Sequence, residues 1–171
     1  MWFEDEARFG QQGTLTRVWA RTGSRPRAVK QTRYDWVYLL GAACPQTGQS
    51  VGLLAPDLNT QTVNVFLAQL ARELPPDVHG VLLWDQAGYH TSGDLVVPPQ
   101  PSLLYLPPKS PELNPMENLW HYLRSHHWAN RAYDNYDHLR QAGCQAWQAV
   151  CLDPPLLRSV CAAPWLEEAR Q

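Results

Sequence analysis

The run Leu106-Pro107-Pro108-Lys109-Ser110-Pro111-Glu112-Leu113-Asn114-Pro115-Met116-Glu117-Asn118-Leu119-Trp120 constrains this chain more than any other stretch. Its prolines fix φ and keep the backbone out of a helix until an apolar spacing of three and four begins. That spacing places Met116, Leu119, Trp120, Leu123 and His127 on one face. Ser110-Pro111 and Asn114-Pro115 each read as an N-cap followed by proline at the first helical position, where a missing N–H costs nothing. A long helix therefore starts at or near Asn114, and Glu117 falls in its first turn. Glu117 either completes a pattern close to a capping box or is aimed at something outside the helix.

Upstream, residues 2–9 alternate. Phe3, Asp5, Ala7 and Phe9 share one face, and Trp2, Glu4, Glu6 and Arg8 share the other, which is strand periodicity. If the phenylalanines face the core, Asp5 goes with them and its acidic neighbours do not. Residues 14–20 read as a short strand, 36–43 as a strong one, and 49–54 as the returning strand of a hairpin. Residues 59–74 are helical by the spacing of Val63, Phe66, Leu67, Leu70 and Leu74, and Pro75-Pro76 ends them. Short apolar strands follow at 81–84 and 102–106, with a helical turn expected at 91–95. Further helices are expected at 134–150, where Cys144 is read as a buried position, and at 154–163. An antiparallel strand group followed by strand–helix–strand units gives a mixed sheet with helices on both faces. The order is compatible with an RNase H-like α/β fold and with other three-layer arrangements.

Asp5 lies within the first strand, Asp85 ends a central strand, and Glu117 begins a helix. Each has an ordinary reading, as a solvated acid, a turn residue and a cap. Brought together, however, they would repel one another and favour a divalent cation. Magnesium suits oxygen donors and needs only a few carboxylates. Two such ions about 4 Å apart serve phosphodiester displacement. His90, five residues after Asp85, reads either as a packed histidine or as an active-site group.

With 171 residues, 44% hydrophobic and 18% charged, the chain is long enough for one domain with a real core. No apolar run approaches the roughly 20 residues of a membrane span, and no signal-peptide pattern opens the chain, so the expected location is cytoplasmic. Cys44, Cys144, Cys151 and Cys161 form no C-x-x-C pair and suggest neither zinc nor disulfides. A net charge of −2 excludes nucleic-acid binding by bulk charge. The basic run is local: Arg17, Arg21, Arg25, Arg27, Lys30 and Arg33, with no acid among them. It reads as a solvated loop or as the one place suited to phosphates.

Three blocks resemble the signature blocks of mariner-type DDE transposases, in particular the bacterial insertion-sequence branch described as DDE superfamily endonucleases. They are residues 3–9 (FEDEARF), 83–92 (LWDQAGYHTS) and 106–120 (LPPKSPELNPMENLW). The resemblance implies a single RNase H-like catalytic domain over residues 1–171, with the family's N-terminal helix-turn-helix region absent from this chain. It implies that Asp5, Asp85 and Glu117 hold Mg²⁺ or Mn²⁺, as two ions, with His90 as a further catalytic residue. Transposon ends and target DNA are the implied partners, contacted by the basic run and Lys109. A second copy in the active complex and a separately encoded helix-turn-helix half are also implied, in a bacterial, nucleoid-associated setting. A non-catalytic remnant acting as an interaction module and a general RNase H-like nuclease remain as alternatives.

Overall fold

The computed structural model describes residues 1–13 and 15–168. Five strands form one mixed sheet: β1 (Trp2–Gly10), β2 (Trp36–Cys44), β3 (Gln49–Ala55), β4 (Val81–Trp84) and β5 (Ser102–Tyr105). Their order is β3-β2-β1-β4-β5. β1 and β2 pair antiparallel, as do β2 and β3, while β1–β4 and β4–β5 are parallel. A tight turn with Gly48 at φ 75° closes the β2–β3 hairpin, a conformation that a side chain would strain. This is the RNase H-like mixed sheet that the order of elements suggested.

The strand expected over residues 14–20 does not form. Residues 15–20 are exposed and irregular, and Thr14 lies outside the described residues. The segment finds no strand to pair with, and its basic side chains gain nothing from burial. Within the helical turn expected at 91–95, one hydrogen-bonded turn forms at Gly93 and Asp94, in which Leu95 N–H donates to Ser92 O at 3.2 Å.

Helices cover both faces of the sheet. α1 (Thr60–Glu73) starts at Asn59, whose side chain accepts from Thr62 N–H, and buries Val63, Phe66, Leu67 and Leu70. It packs with Trp2, Leu40, Leu82 and Trp84 on one side. The other side holds α2 (Met116–Leu123), α3 (Tyr136–Cys151), α4 (Pro154–Val160) and α5 (Pro164–Glu168), packed on Phe3, Ala7, Phe9, Val37 and Leu39. α3 buries Leu139, Ala142, Ala146, Trp147 and Cys151. Cys144 is only half-buried, contrary to the sequence reading, because it lies off that stripe. No described helix is long and apolar enough to cross a membrane.

β1 is therefore a central strand sandwiched between helical layers. Both of its faces are interior, which overturns the inward–outward alternation read from the sequence. Glu4 is 1% exposed and lies on the α1 side, opposite Asp5. Glu6 is half-buried on that same side.

Candidate active site

β1 and β4 run parallel and in register through Trp2↔Leu82 and Phe3↔Leu83. β4 then stops at Trp84, while β1 continues. Asp5 and Asp85 therefore stand two residues beyond the last paired position of each strand, where the two chains part. Ligands commonly bind at such a split beyond the carboxyl ends of parallel strands.

The third carboxylate arrives from the proline-rich run. Residues Pro111–Leu113 make one 3-10 turn, and α2 follows Pro115. Asn114 joins the parts. Its side-chain amide donates to Glu4 O at 2.9 Å, and its Oδ1 accepts from Met116 N–H at 3.1 Å. The capping oxygen of α2 thus belongs to Asn114, two residues before its first residue, and Asn114 ties the helix start to β1. Glu117 is left to face the cleft.

That cleft, about 300 Å³, is lined by Asp5, Asp85, Glu117, Gln86, Lys109 and Asn114, with the proline-rich run as its wall. Lys109 adopts φ 58°, the left-handed region that a lysine enters only under constraint. The structure thus brings Asp5, Asp85 and Glu117 to one opening.

Asp5 is strongly perturbed. Burial first, then the charge of Glu6 and, more weakly, that of Glu117, raise its carboxyl from 3.8 to about 7. Hydrogen bonds oppose this: Glu6 N–H donates to Oδ1 at 2.9 Å and Trp120 Nε1–H to Oδ2 at 3.0 Å. Three carboxylates lining one cleft, with Lys109 beside them, offer oxygen donors of the kind a hard divalent cation takes.

His90 does not line this cleft. It is 1% exposed and stacks on Trp84, with ring centroids 4.0 Å apart. Its Nδ1 meets Asp85 Oδ1 at 2.9 Å, and Nε2 lies 3.0 Å from Glu6 Oε1 and 3.5 Å from Glu4 Oε2. Burial pulls its pKa down, but hydrogen bonding and the charges of Glu6 and Asp85 outweigh this and raise it. His90 therefore lies between Glu6 and Asp85, within ion-pair distance of both. Asp85 Oδ1 also accepts from Ala87 N–H at 2.9 Å. Glu4 is driven well above the usual carboxylate range by burial, then by Glu6, Asp5 and Asp85. Tyr89 O–H donates to Glu6 Oε2 at 3.3 Å.

One group of described residues has ligand atoms within 4.8 Å of one another, as a metal site requires: Glu4, Glu6 and His90. Sequence reasoning missed it by assigning both glutamates to solvent. Trp2 on the same face was the available signal, since a tryptophan among solvated acids argues for a second core. Asp5, Asp85 and Glu117 are spaced more widely.

The basic residues Arg17, Arg21, Arg25, Arg27, Lys30 and Arg33 lie on an exposed arm. Its base is fastened by Asn130, which exchanges hydrogen bonds with the Thr16 backbone at 3.2 and 3.1 Å. Gln31 ties it to Tyr133. Arg17 and Arg27 share a shallow hollow with Asn130.

An RNase H-like sheet thus carries three carboxylates that open onto one cleft beside the β1–β4 split. The profile of the DDE superfamily endonucleases matches residues 1–140, and the chain belongs to that family. It is 38% identical over 130 residues to the uncharacterized protein y4pE/y4sA of Sinorhizobium fredii (strain NBRC 101917 / NGR234), covering 76% of this chain and 96% of that protein. The fold is similar to the Mos1 strand transfer complex, with TM-score 0.61 and 17% identity over 94% of this chain and 50% of that one. It also matches the Mos1 mariner paired end complex with Mn, with TM-score 0.63 and 17% identity over 94% and 51%. The chain thus spans about half the length of the Mos1 chains it matches.

Proposed function

We propose that this chain is the RNase H-like catalytic domain of a DNA transposase, occupying residues 1–171. The observation that carries the reading is the meeting of Asp5, Asp85 and Glu117 at one cleft, from a strand, a strand end and a helix start. These carboxylates would hold Mg²⁺ or Mn²⁺, as two ions, which when bound activate the attacking oxygen and neutralise charge on the phosphate. In the first reaction a water oxygen bonds to phosphorus, the P–O3′ bond breaks, and a 3′-hydroxyl is freed at the transposon end. In the second, the oxygen of that 3′-hydroxyl bonds to phosphorus of a target phosphodiester, the target P–O3′ bond breaks, and a target 3′-hydroxyl leaves with the proton given up by the attacking one.

The chain's own residues orient this chemistry. His90 positions Asp85 from behind, acting through that carboxylate and not on DNA. Lys109 stands at the cleft rim, where a phosphate would lie. The arm bearing Arg17, Arg21, Arg25, Arg27, Lys30 and Arg33 supplies sequence-independent phosphate contacts. The Mos1 structures matched are of paired end and strand transfer complexes, which supports a DNA-bound homodimer here. End recognition would come from a separately encoded helix-turn-helix half.

The test is Mg²⁺-dependent nicking of inverted-repeat DNA by the chain joined to such a half. Cleavage at the repeat ends, lost in Asp85→Ala, is expected. Full activity in Asp85→Ala would sink the reading, and cleavage of RNA–DNA hybrids without end preference would replace it with a general nuclease.

A further inference from the structure

We infer that Trp120 is a positioning residue for Asp5, and that Gly41 and Gly52 clear the lane along which its indole reaches that carboxylate. The inference rests on the reading of Asp5 as a cation ligand.

Asp5 pairs with Gly41 on β2, and Gly41 pairs with Gly52 on β3, so the three form one row across the sheet. A Cβ on Gly41 would lie 2.9 Å from the ring edges of both Trp120 and Trp147. One on Gly52 would lie 2.5 Å from the Trp147 ring. The row is thus a trough in the sheet, filled by two indoles whose centroids are 6.4 Å apart. Trp120 is 1% exposed, and its position in the trough aims Nε1–H at Asp5 Oδ2, 3.0 Å away.

Glu6 N–H holds the other oxygen of Asp5 at 2.9 Å. Each oxygen therefore has one donor from the protein, which fixes the rotation of the carboxylate and keeps a lone pair on each oxygen free. Donors to a partly desolvated carboxylate favour its charged form, the form that binds a cation. Trp120 also stands one helical turn after Glu117 on α2. One helix thus supplies the third carboxylate and the clamp on the first, so any shift of α2 moves both together.

The experiment is a Mn²⁺ titration of the purified, metal-free chain, with free Mn²⁺ read by electron paramagnetic resonance and the thermal midpoint measured alongside. Trp120→Phe keeps the ring and removes the donor, and is expected to weaken Mn²⁺ binding about tenfold. Asp5→Asn is expected to abolish it at that site. Loss in Asp5→Asn with wild-type affinity in Trp120→Phe overturns the role of Trp120 and leaves the site reading standing. Wild-type affinity in Asp5→Asn overturns the site reading itself. A purely structural tryptophan would lower the midpoint and leave the affinity unchanged. Should Trp120→Phe fail to fold, the indole N–H resonances of the wild-type chain decide. One is expected to move on adding Mg²⁺ and to be displaced in Asp5→Asn; no responding indole overturns the inference.

Discussion

Asp5 and its two neighbours, Glu4 and Glu6, differ by one step along a strand and end in opposite environments. Asp5 opens onto a cleft shared with Asp85 and Glu117. Glu4 and Glu6 turn the other way and close over His90 beneath α1. Both sets gather carboxylates, yet the charge is managed differently. On the sealed side burial raises the pKa of Glu4, and Glu6 lies within ion-pair distance of His90, whose own pKa is raised, so both shifts favour holding protons inside the cluster. On the open side Asp5 itself meets only N–H donors, from Trp120 and Glu6, and its remaining charge is left for a ligand from solvent. Asp85 belongs to both sides, with Oδ1 held by His90 and its body exposed to the cleft.

The sharpest way to break this comparison is to remove one acid from each side. Asp85→Ala should lower nicking by at least about a hundredfold while leaving a folded chain. A comparable loss of activity in Glu4→Gln would erase the distinction. The counter-ion comes next: His90→Ala strands Glu6 in the interior and should cost about 3–5 kcal/mol in a denaturant titration. A smaller cost would mean that the sealed cluster does not depend on its imidazolium.

The pH profile separates the two sides more finely. The folded-state value for Asp5 is about 7, against an ordinary 3.8. The folded state therefore binds this proton more tightly than the unfolded one. The stabilisation is complete below about pH 4 and is lost as pH rises through about 7, a fall of roughly 2–4 kcal/mol. The thermal midpoint should drop across that window, less so in Asp5→Asn, and Mg²⁺ should restore it at neutral pH. Glu4 shifts in the same direction, so the variant should flatten the profile without levelling it.

Gly41→Ala forces a methyl against two indoles and should cost about 1–3 kcal/mol by thermal unfolding. The smallest effect is expected from Glu4→Gln, within about 1 kcal/mol, because burial favours the neutral form of the side chain replaced. A large gain in stability there would show that Glu4 is ionised.

Much of this was legible in the sequence, for identifiable reasons. The hairpin, α1 and the short parallel strands announce themselves through local patterns that need no tertiary knowledge. Asp5, Asp85 and Glu117 could be singled out because each follows or interrupts such a pattern. The Glu4–Glu6–His90 cluster was not legible in this way, because period-two alternation says only that neighbours face opposite sides. It cannot say that both sides are interior, which depends on β1 being the middle strand of five. The Asp5–Gly41–Gly52 row was hidden for a similar reason. Cross-strand register is set by the hairpin turn and by the pairing of β1 with β2, and only the folded sheet aligns residues 36 and 47 positions apart. The strand expected near residue 18 failed because propensity without a partner strand makes no ladder.

Asn114 has a consequence for how such a chain can vary. Glu117 is placed by a bond from Asn114 to the backbone of β1, not by a measured length of chain from Asp85. The segment between β4 and β5 leaves the sheet after one carboxylate and returns before the next without setting the distance between them. Residues can therefore be gained or lost around positions 93–101 at the modest entropic cost of a longer or shorter excursion. The sequence interval between Asp85 and Glu117 is therefore not what sets the spatial one.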